Sequence, residues 1–376
     1  MPLRRFISRR SIRGLARLAA SALAVAITSL SLAGCATGYL ARAAYEEGRL
    51  LWNRKPIDEV MKRNDLPADI RAKLQLVLAV RRFARDNLGL NVGGAYASVT
   101  NVDKGAIVWV VIAAPRTSLE PYTWWFPIVG SVPYRGYFDR ADAQAEAASL
   151  EARGYDTMVR SAVAFSSLGF FDDPLLSNLL RLDRVELAGV IIHELFHRTY
   201  YMAGNAMFDE SAATYVGGAG AIAFFDYLEG SSSPGADSAR FAFASDLKFG
   251  AFLNGEAARL TKLYQSGLPE AEILQRRAII FSDINSDYAR LKPTLSGLER
   301  FDLDKTPVNN AVLIDYLIYF HELDNFAALQ KIYGGDLKQT VKAIIALAKS
   351  DTDDPFGAIA KASRPAAPQS HPASSP

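Results

Sequence analysis

The sequence predicts an α+β protein, predominantly helical, with a small N-terminal β-sheet followed by a helical C-terminal part. Three observations carry that reading. Ala106-Ile-Val-Trp-Val-Val-Ile-Ala113 is a strongly β-prone run. From about Phe208 to Lys349 the apolar residues recur mostly at helical spacing. Between residues 89 and 139, glycine and proline break the chain into short pieces. At 376 residues, half of them hydrophobic and 22% charged, there is material for one large domain or two ordinary ones.

Residues 1–34 carry six arginines and no acid, and their apolar run Leu18–Leu32 gives way to small residues. That is the pattern of an export signal. Leu32-Ala33-Gly34-Cys35 resembles the lipobox of bacterial lipoproteins. The resemblance implies a signal peptide over 1–34 and an acylated Cys35 as the new N-terminus. With Ala36 and not Asp next, it implies the outer membrane of a two-membrane bacterium, facing the periplasm. Cys35 is the only cysteine, which excludes an intramolecular disulfide and a thiolate metal ligand. The formal charge is +2, and losing the six arginines leaves −4, so no basic field argues for nucleic acid.

Residues 35–65 read as a membrane tether leading into a first helix, with Tyr45–Trp52 the first packed piece. Ile70, Leu74, Val77 and Leu78 predict a helix within Asp69–Asp86. Tyr96–Thr100 and Ala106–Ala113, joined by the turn-like Asn101–Gly105, predict a hairpin. Trp124–Asp139 reads as irregular, Ala141–Arg153 as a helix stopped by Gly154, and Thr157–Ser166 as a strand. Asp183 with Glu186 has the shape of a capping box opening a helix that runs to Gly204-Asn205. Ala311–Ala328 and Leu337–Lys349 are further helices, and residues 351–376 form a Pro/Ala/Ser-rich tail expected to be disordered. Gly217, Gly218 and Gly220 follow no strand and suit close helix packing better than a phosphate cradle.

The helix opened by Asp183 contains His193-Glu-Leu-Phe-His197, an H-E-x-x-H pattern that uses two of only four histidines. Four residues make just over one helical turn, so His193 and His197 leave the same face and can share one metal ion. Glu194 lies one step round, beside the ion, where a general base acting on water belongs. A catalytic zinc site takes three protein ligands and one open position. If the chain turns at Ala203–Ala206 and returns as an antiparallel helix from near Met207, Glu210 arrives level with His197 as the third. Asp209 reads as that helix's N-cap, or as an acceptor for an imidazole N–H. His321-Glu-Leu-Asp-Asn325 starts like the motif but lacks the second imidazole, so His321 reads as structural.

These residues resemble a known family, the predicted zinc aminopeptidases of bacterial lipoprotein type, a gluzincin-like group. The resemblance rests on His193-Glu-Leu-Phe-His197 followed by Phe208-Asp-Glu-Ser211. Trp124-Trp-Phe-Pro127, Val132–Asp139, Phe165–Gly169, Asp172–Leu175, and Asn309-Asn-Ala311 with Tyr319 support it. It implies a zincin-like metallopeptidase domain over 66–350 that binds one Zn²⁺ per chain through His193, His197 and Glu210, with Glu194 as the base. The expected substrate is a peptide. In that family cysteines commonly stand where this chain has Trp125 and Ser131, Gln where it has Arg198, and Asn where it has Asp209. The donor for the developing oxyanion is left among Tyr134, Arg135, Tyr215 and Tyr319. Glu120, Asp172 and Asp173 are the acids that would hold a substrate's free amine. Phe165–Gly169 would be either a sheet edge receiving the peptide or an interior strand. An envelope endopeptidase, and a non-catalytic lipoprotein scaffold with a structural metal, are the competing expectations. Oligomeric state is open.

Overall fold

The computed structural model describes residues 45, 48–102, 108–126, 130–162, 172–295, 303–304 and 306–364. The chain divides into two units, Met1–Arg54 and Lys55–Pro376. In the first, residues 45 and 48–52 are helical. Cys35 and the arginine-rich segment lie outside the described residues, as does Phe165–Gly169. The second unit is mostly helical with small sheets, as the composition of its elements led one to expect.

The strands of the second unit are β1 (Lys55–Pro56), β2 (Ser98–Thr100), β3 (Val108–Pro115), β4 (Trp124–Phe126), β5 (Gly130–Val132), β6 (Tyr134–Tyr137), β7 (Tyr155–Ala162) and β8 (Leu175–Leu176). Its longer helices are α1 (Ala68–Phe83), α2 (Arg140–Ala152), α3 (Arg184–Thr199), α4 (Ala206–Glu229), α5 (Pro234–Tyr264), α6 (Glu270–Leu291), α7 (Asn310–Phe320), α8 (Leu323–Ile332), α9 (Leu337–Ser350) and α10 (Pro355–Ala362).

The β-prone run becomes the middle strand of an antiparallel sheet ordered β6-β3-β7. Val108, Val110, Ile112 and Ala114 face α7, packing on Ala311, Ile314 and Ile318. Val111 and Ala113 face the other way, onto Ala143, Ala147 and Leu150 of α2. Burial on both faces explains why the run is apolar without alternation. The expected hairpin between Tyr96–Thr100 and this strand does not form. β2 pairs instead with β1 and, in parallel, with β8 (Val99 opposite Leu175), so long-range pairing overrides the local turn signal. The stretch expected to be irregular supplies three strands, with β4 and β5 pairing as a hairpin. Trp125 and Ser131 stand opposite each other across it.

Two further expectations are corrected. The helix foreseen over Ala311–Ala328 breaks between α7 and α8, where Glu322 adopts φ +49°. The reason is tertiary: the Ser211 hydroxyl of α4 donates to the Ile318 carbonyl at 3.0 Å and accepts the His321 N–H at 3.2 Å, ending α7 at that point. The expected tail over 351–376 contains α10, anchored by the buried Ile359. Phe356 packs there at 5.3 Å from Phe208 and 4.8 Å from His321, between ring centroids. His321 thus has the structural surroundings foreseen for it, and residues 365–376 lie outside the described residues.

Helices α3 and α4 approach closely at glycines. A Cβ on Gly217 would sit 2.8 Å from the Gly189 carbonyl oxygen and 3.2 Å from the His193 Cβ. One on Gly220 would meet Ile192 at 2.8 Å. Glycine is therefore required at 217 by distance to backbone, which cannot rotate away. We predict that Gly217→Ala costs about 1–3 kcal/mol in denaturant melts through overpacking. Gly255, inside α5 with nothing within 4 Å of a would-be Cβ, is the matched control. There alanine should add about 0.5–1 kcal/mol.

Candidate metal centre

Helix α3 begins with the foreseen capping box. The Asp183 carboxylate accepts the N–H groups of Val185 and Glu186 at 2.7 and 2.9 Å, and Glu186 reaches back to the Asp183 N–H at 3.4 Å. Leu187, Ala188, Ile191, Ile192, Leu195 and Phe196 are all fully buried. That stripe fixes the rotation of the helix, and so the direction in which His193 and His197 leave it.

The helix ends at Thr199, short of the expected Gly204-Asn205, because residue 200 turns extended. The cause is Asp209, which is not the N-cap the sequence suggested. It lies almost wholly buried within α4, and its two carboxylate oxygens accept the Met202 N–H at 2.9 and 3.1 Å. This pulls the connecting loop onto α4. Gly204 takes φ +86°, and Asn205 supplies the cap by accepting the Phe208 N–H at 3.2 Å. The return helix therefore starts at Ala206, one residue before the expected position.

The result is that the three expected ligands meet. Glu210 Oε2 lies 3.1 Å from His193 Nε2 and 3.3 Å from His197 Nε2, while the two imidazole nitrogens are 3.1 Å apart. The group is mostly buried, and its ligand atoms all fall within 4.8 Å of one another. Three lone pairs converging on one point repel unless a cation sits among them. The charges respond accordingly. Burial works against a charge on His197, but the Glu210 carboxylate beside it outweighs burial and pushes the imidazole up to about 9. Burial in turn would raise Glu210, yet the two histidines hold it far below the usual carboxylate range. A metal ion satisfies the same demand as that proton. The donor set, two imidazoles and a carboxylate with no thiolate, fits zinc.

Glu194 is brought beside this group, as His197 responds to its charge. Its Oε2 is buried with no hydrogen-bond partner among the described residues. Of the four oxyanion candidates, Tyr215 is removed from the site: its hydroxyl bonds Gln330 and its ring stacks on Phe326. Arg135 lies over the Tyr137 ring at 5.2 Å. Tyr134 and Tyr319 both reach the ligands. The Tyr134 hydroxyl is 3.5 Å from Glu210 Oε1, and the Tyr319 ring stacks on His193 at 6.4 Å.

The acids proposed for a substrate amine fare differently. Asp172 pairs with Arg198 at 2.8 Å and accepts the Gly94 N–H at 2.9 Å. A Cβ at Gly93 would collide with that guanidinium, so this glycine makes room for the arginine. Asp173 is buried, and its carbonyl accepts the Tyr96 N–H at 2.7 Å. Glu120 is exposed in the loop that binds Asn310 through the Ser118 carbonyl. That is the opposite end of α7 from Tyr319, roughly 14 Å along the axis. Sequence reasoning missed Tyr96, buried at φ +57° next to Gly93-Gly94 and within reach of the Glu194 charge. It also missed the Arg160–Asp315 pair. No local pattern marks either, since each depends on chain segments far apart in sequence.

Two helix-borne imidazoles one turn apart, closed by a returning carboxylate, define a protein equipped to hold a metal ion. The chain belongs to the family described as "Putative aminopeptidase", whose model matches residues 38–355. No curated protein and no solved structure matches it.

Burial pushes the Asp209 carboxyl up to about 7, against the pull of the Met202 N–H. Because that value lies above the ordinary 3.8, the stability contributed by this group declines as pH rises from about 4 to about 7. Asp209→Asn keeps an acceptor and removes the charge, so at pH 8 it should raise the melting temperature. Asp209→Ala leaves the Met202 N–H unpaired and should cost about 1–3 kcal/mol in denaturant melts.

Proposed function

We propose that the chain is a zinc-dependent peptidase, and an aminopeptidase in keeping with its family, hydrolysing peptide bonds with Glu194 as the proton carrier. The single observation that carries this is the buried Oε2 of Glu194, without a hydrogen-bond partner among the described residues, beside the convergent His193, His197 and Glu210. A purely structural metal site has no use for such an oxygen. His193, His197 and Glu210 would hold the ion. When bound, zinc supplies Lewis acidity, making water nucleophilic near neutral pH and polarising the scissile carbonyl.

Glu194 performs the proton work. As the water oxygen bonds to the carbonyl carbon, Glu194 Oε2 takes one of its protons, and the carbonyl π electrons pass to oxygen. The same carboxyl then returns that proton to the amine nitrogen as the C–N bond breaks. The buried surroundings of the ligands hold bulk water off, which strengthens each electrostatic contact within. An endopeptidase is the second reading. It is favoured by the engagement of Asp172 with Arg198 and by the distance of Glu120, which leave the free-amine anchor unassigned.

We further propose that residues 1–34 direct export and that an acylated Cys35 anchors the chain to the outer membrane facing the periplasm, with a tether shorter than the expected 35–65 because Lys55–Pro56 pair with β2 and Ile57 is buried. The lipobox resemblance supports this. Cys35→Ser should abolish labelling of the expressed protein by radioactive fatty acid and release it from washed membranes; retained label in that variant would refute the anchor.

The activity is tested with protein stripped of metal, reloaded with zinc and assayed beside Glu194→Gln, on peptides with free and blocked amino termini. The wild-type chain should cleave only the free-amine series when zinc is present. Glu194→Gln should retain zinc at the same stoichiometry and lose about two to four orders of magnitude in kcat. Cleavage of blocked peptides would favour the endopeptidase. Retained zinc without any cleavage by the wild type would favour the scaffold.

A further inference from the structure

The metal centre leaves unexplained an aromatic stripe in the first unit. Trp52 is 91% exposed, the most of any large apolar side chain among the described residues, and Tyr45 is 67% exposed. Tyr45, Gly48, Arg49 and Trp52 follow one another at i, i+3, i+4 and i+7, the spacing that gathers residues on one face of a helix. All four are exposed, and a Cβ on Gly48 would meet nothing within 4 Å. Leu50, off that spacing, is buried. The usual amphipathic arrangement is inverted, because the leucine packs while the two aromatic rings face water. The stretch expected to be the first packed piece therefore leaves its aromatic face bare. Glu46 and Glu47 fall outside the stripe's spacing. Among the described residues no helix is long and apolar enough to cross a membrane.

We propose that this stripe lies on the surface of an anionic phospholipid bilayer, with Tyr45 and Trp52 seated among the headgroups and Arg49 between them on a phosphate. This rests on the lipid anchor proposed above. The anchor's position selects a bilayer over a protein partner. Trp52 stands 17 residues after Cys35. That length of chain spans at most about 60 Å extended, and about 26 Å as a helix. With Cys35 acylated, the stripe meets lipid at an effective concentration that a separate protein does not reach. Its chemistry fits the headgroup layer. Tryptophan and tyrosine join an apolar ring to one polar group, which places them at the interface and not in the hydrocarbon. The guanidinium of Arg49 presents paired N–H donors that match a phosphate. Acyl chains hold the chain on the bilayer but leave the path of the tether open. The stripe fixes that path by laying Tyr45–Trp52 along the surface.

The test uses the full chain, extracted from membranes and reconstituted into vesicles of phosphatidylethanolamine and phosphatidylglycerol, or of neutral phosphatidylcholine. Each composition is prepared with and without lipid brominated on the acyl chain near the headgroup, which quenches tryptophan fluorescence on contact. Wild type, Trp52→Phe, Arg49→Gln and Trp125→Phe are compared. Trp125, 70% exposed in the second unit, is the control for an exposed indole off the stripe. Brominated lipid should quench part of the wild-type fluorescence in the anionic vesicles. That component should vanish in Trp52→Phe and persist in Trp125→Phe. In Arg49→Gln it should fall to the level that wild type shows in neutral vesicles. Equal quenching of wild type and Trp52→Phe would overturn the proposal. So would a Trp52 shielded from aqueous iodide yet untouched by brominated lipid, since a protein chain would then cover it. Quenching that ignores both Arg49→Gln and vesicle charge would overturn the phosphate contact. Fatty-acid labelling of the same preparations separates the two readings. An unlabelled wild type removes the anchor and this inference with it, whereas a labelled wild type without Trp52-dependent quenching sinks this inference alone.

Discussion

The rest of the structure depends on the contact of α3 with α4 at Gly189 and Gly217. Helices carrying ordinary side chains pack with axes 8–10 Å apart. Here the Gly217 Cα approaches so near the Gly189 carbonyl and His193 that no methyl group fits. Only at that separation does Glu210, on the returning helix, reach both imidazoles with one carboxylate oxygen. The glycines at the helix contact and the acid that meets the two imidazoles are thus two consequences of one spacing.

That spacing is maintained from outside the site as well. Asp209 binds the connecting loop to α4 through the Met202 N–H, while its neighbour Glu210 turns toward the histidines. Ser211, the next residue, ends α7 through Ile318 and His321. Three consecutive side chains of one helix therefore set a loop, a ligand and the end of a third helix, the one that carries Tyr319. Helical geometry makes this possible, since successive residues leave about 100° apart and can serve three different neighbours. The β6-β3-β7 sheet completes the arrangement. It buries α7 against Val108, Val110 and Ile112 and brings Tyr134 and Arg160 to the same region from its two outer strands.

Much of the centre was legible because its parts are local. His193, Glu194 and His197 lie within five residues, the capping box within four, and Glu210 on the next helix after a short turn. Where the reading failed, the deciding contact came from elsewhere in the chain. The Tyr96–Thr100 hairpin lost to a pairing with Leu175-Leu176. The helix over Ala311–Ala328 was cut by Ser211. The low-complexity appearance of the C-terminal residues hid Phe356 and Ile359, which are few but sit against a preformed aromatic cluster.

The sequence by itself determined the His193, His197 and Glu210 grouping that could hold a metal ion, the α+β class with most residues helical, and the strand that becomes the middle of the sheet. These follow from periodicity and from spacing along one helix, where 3.6 residues per turn converts number directly into direction. The tertiary structure alone decided that Asp209 clamps a loop and is no cap, that Asp172 is bound to Arg198, and that Arg160 pairs with Asp315. Such pairings join residues as much as 155 positions apart. No local propensity encodes them, because they exist only once the apolar faces of helix and sheet have been buried together.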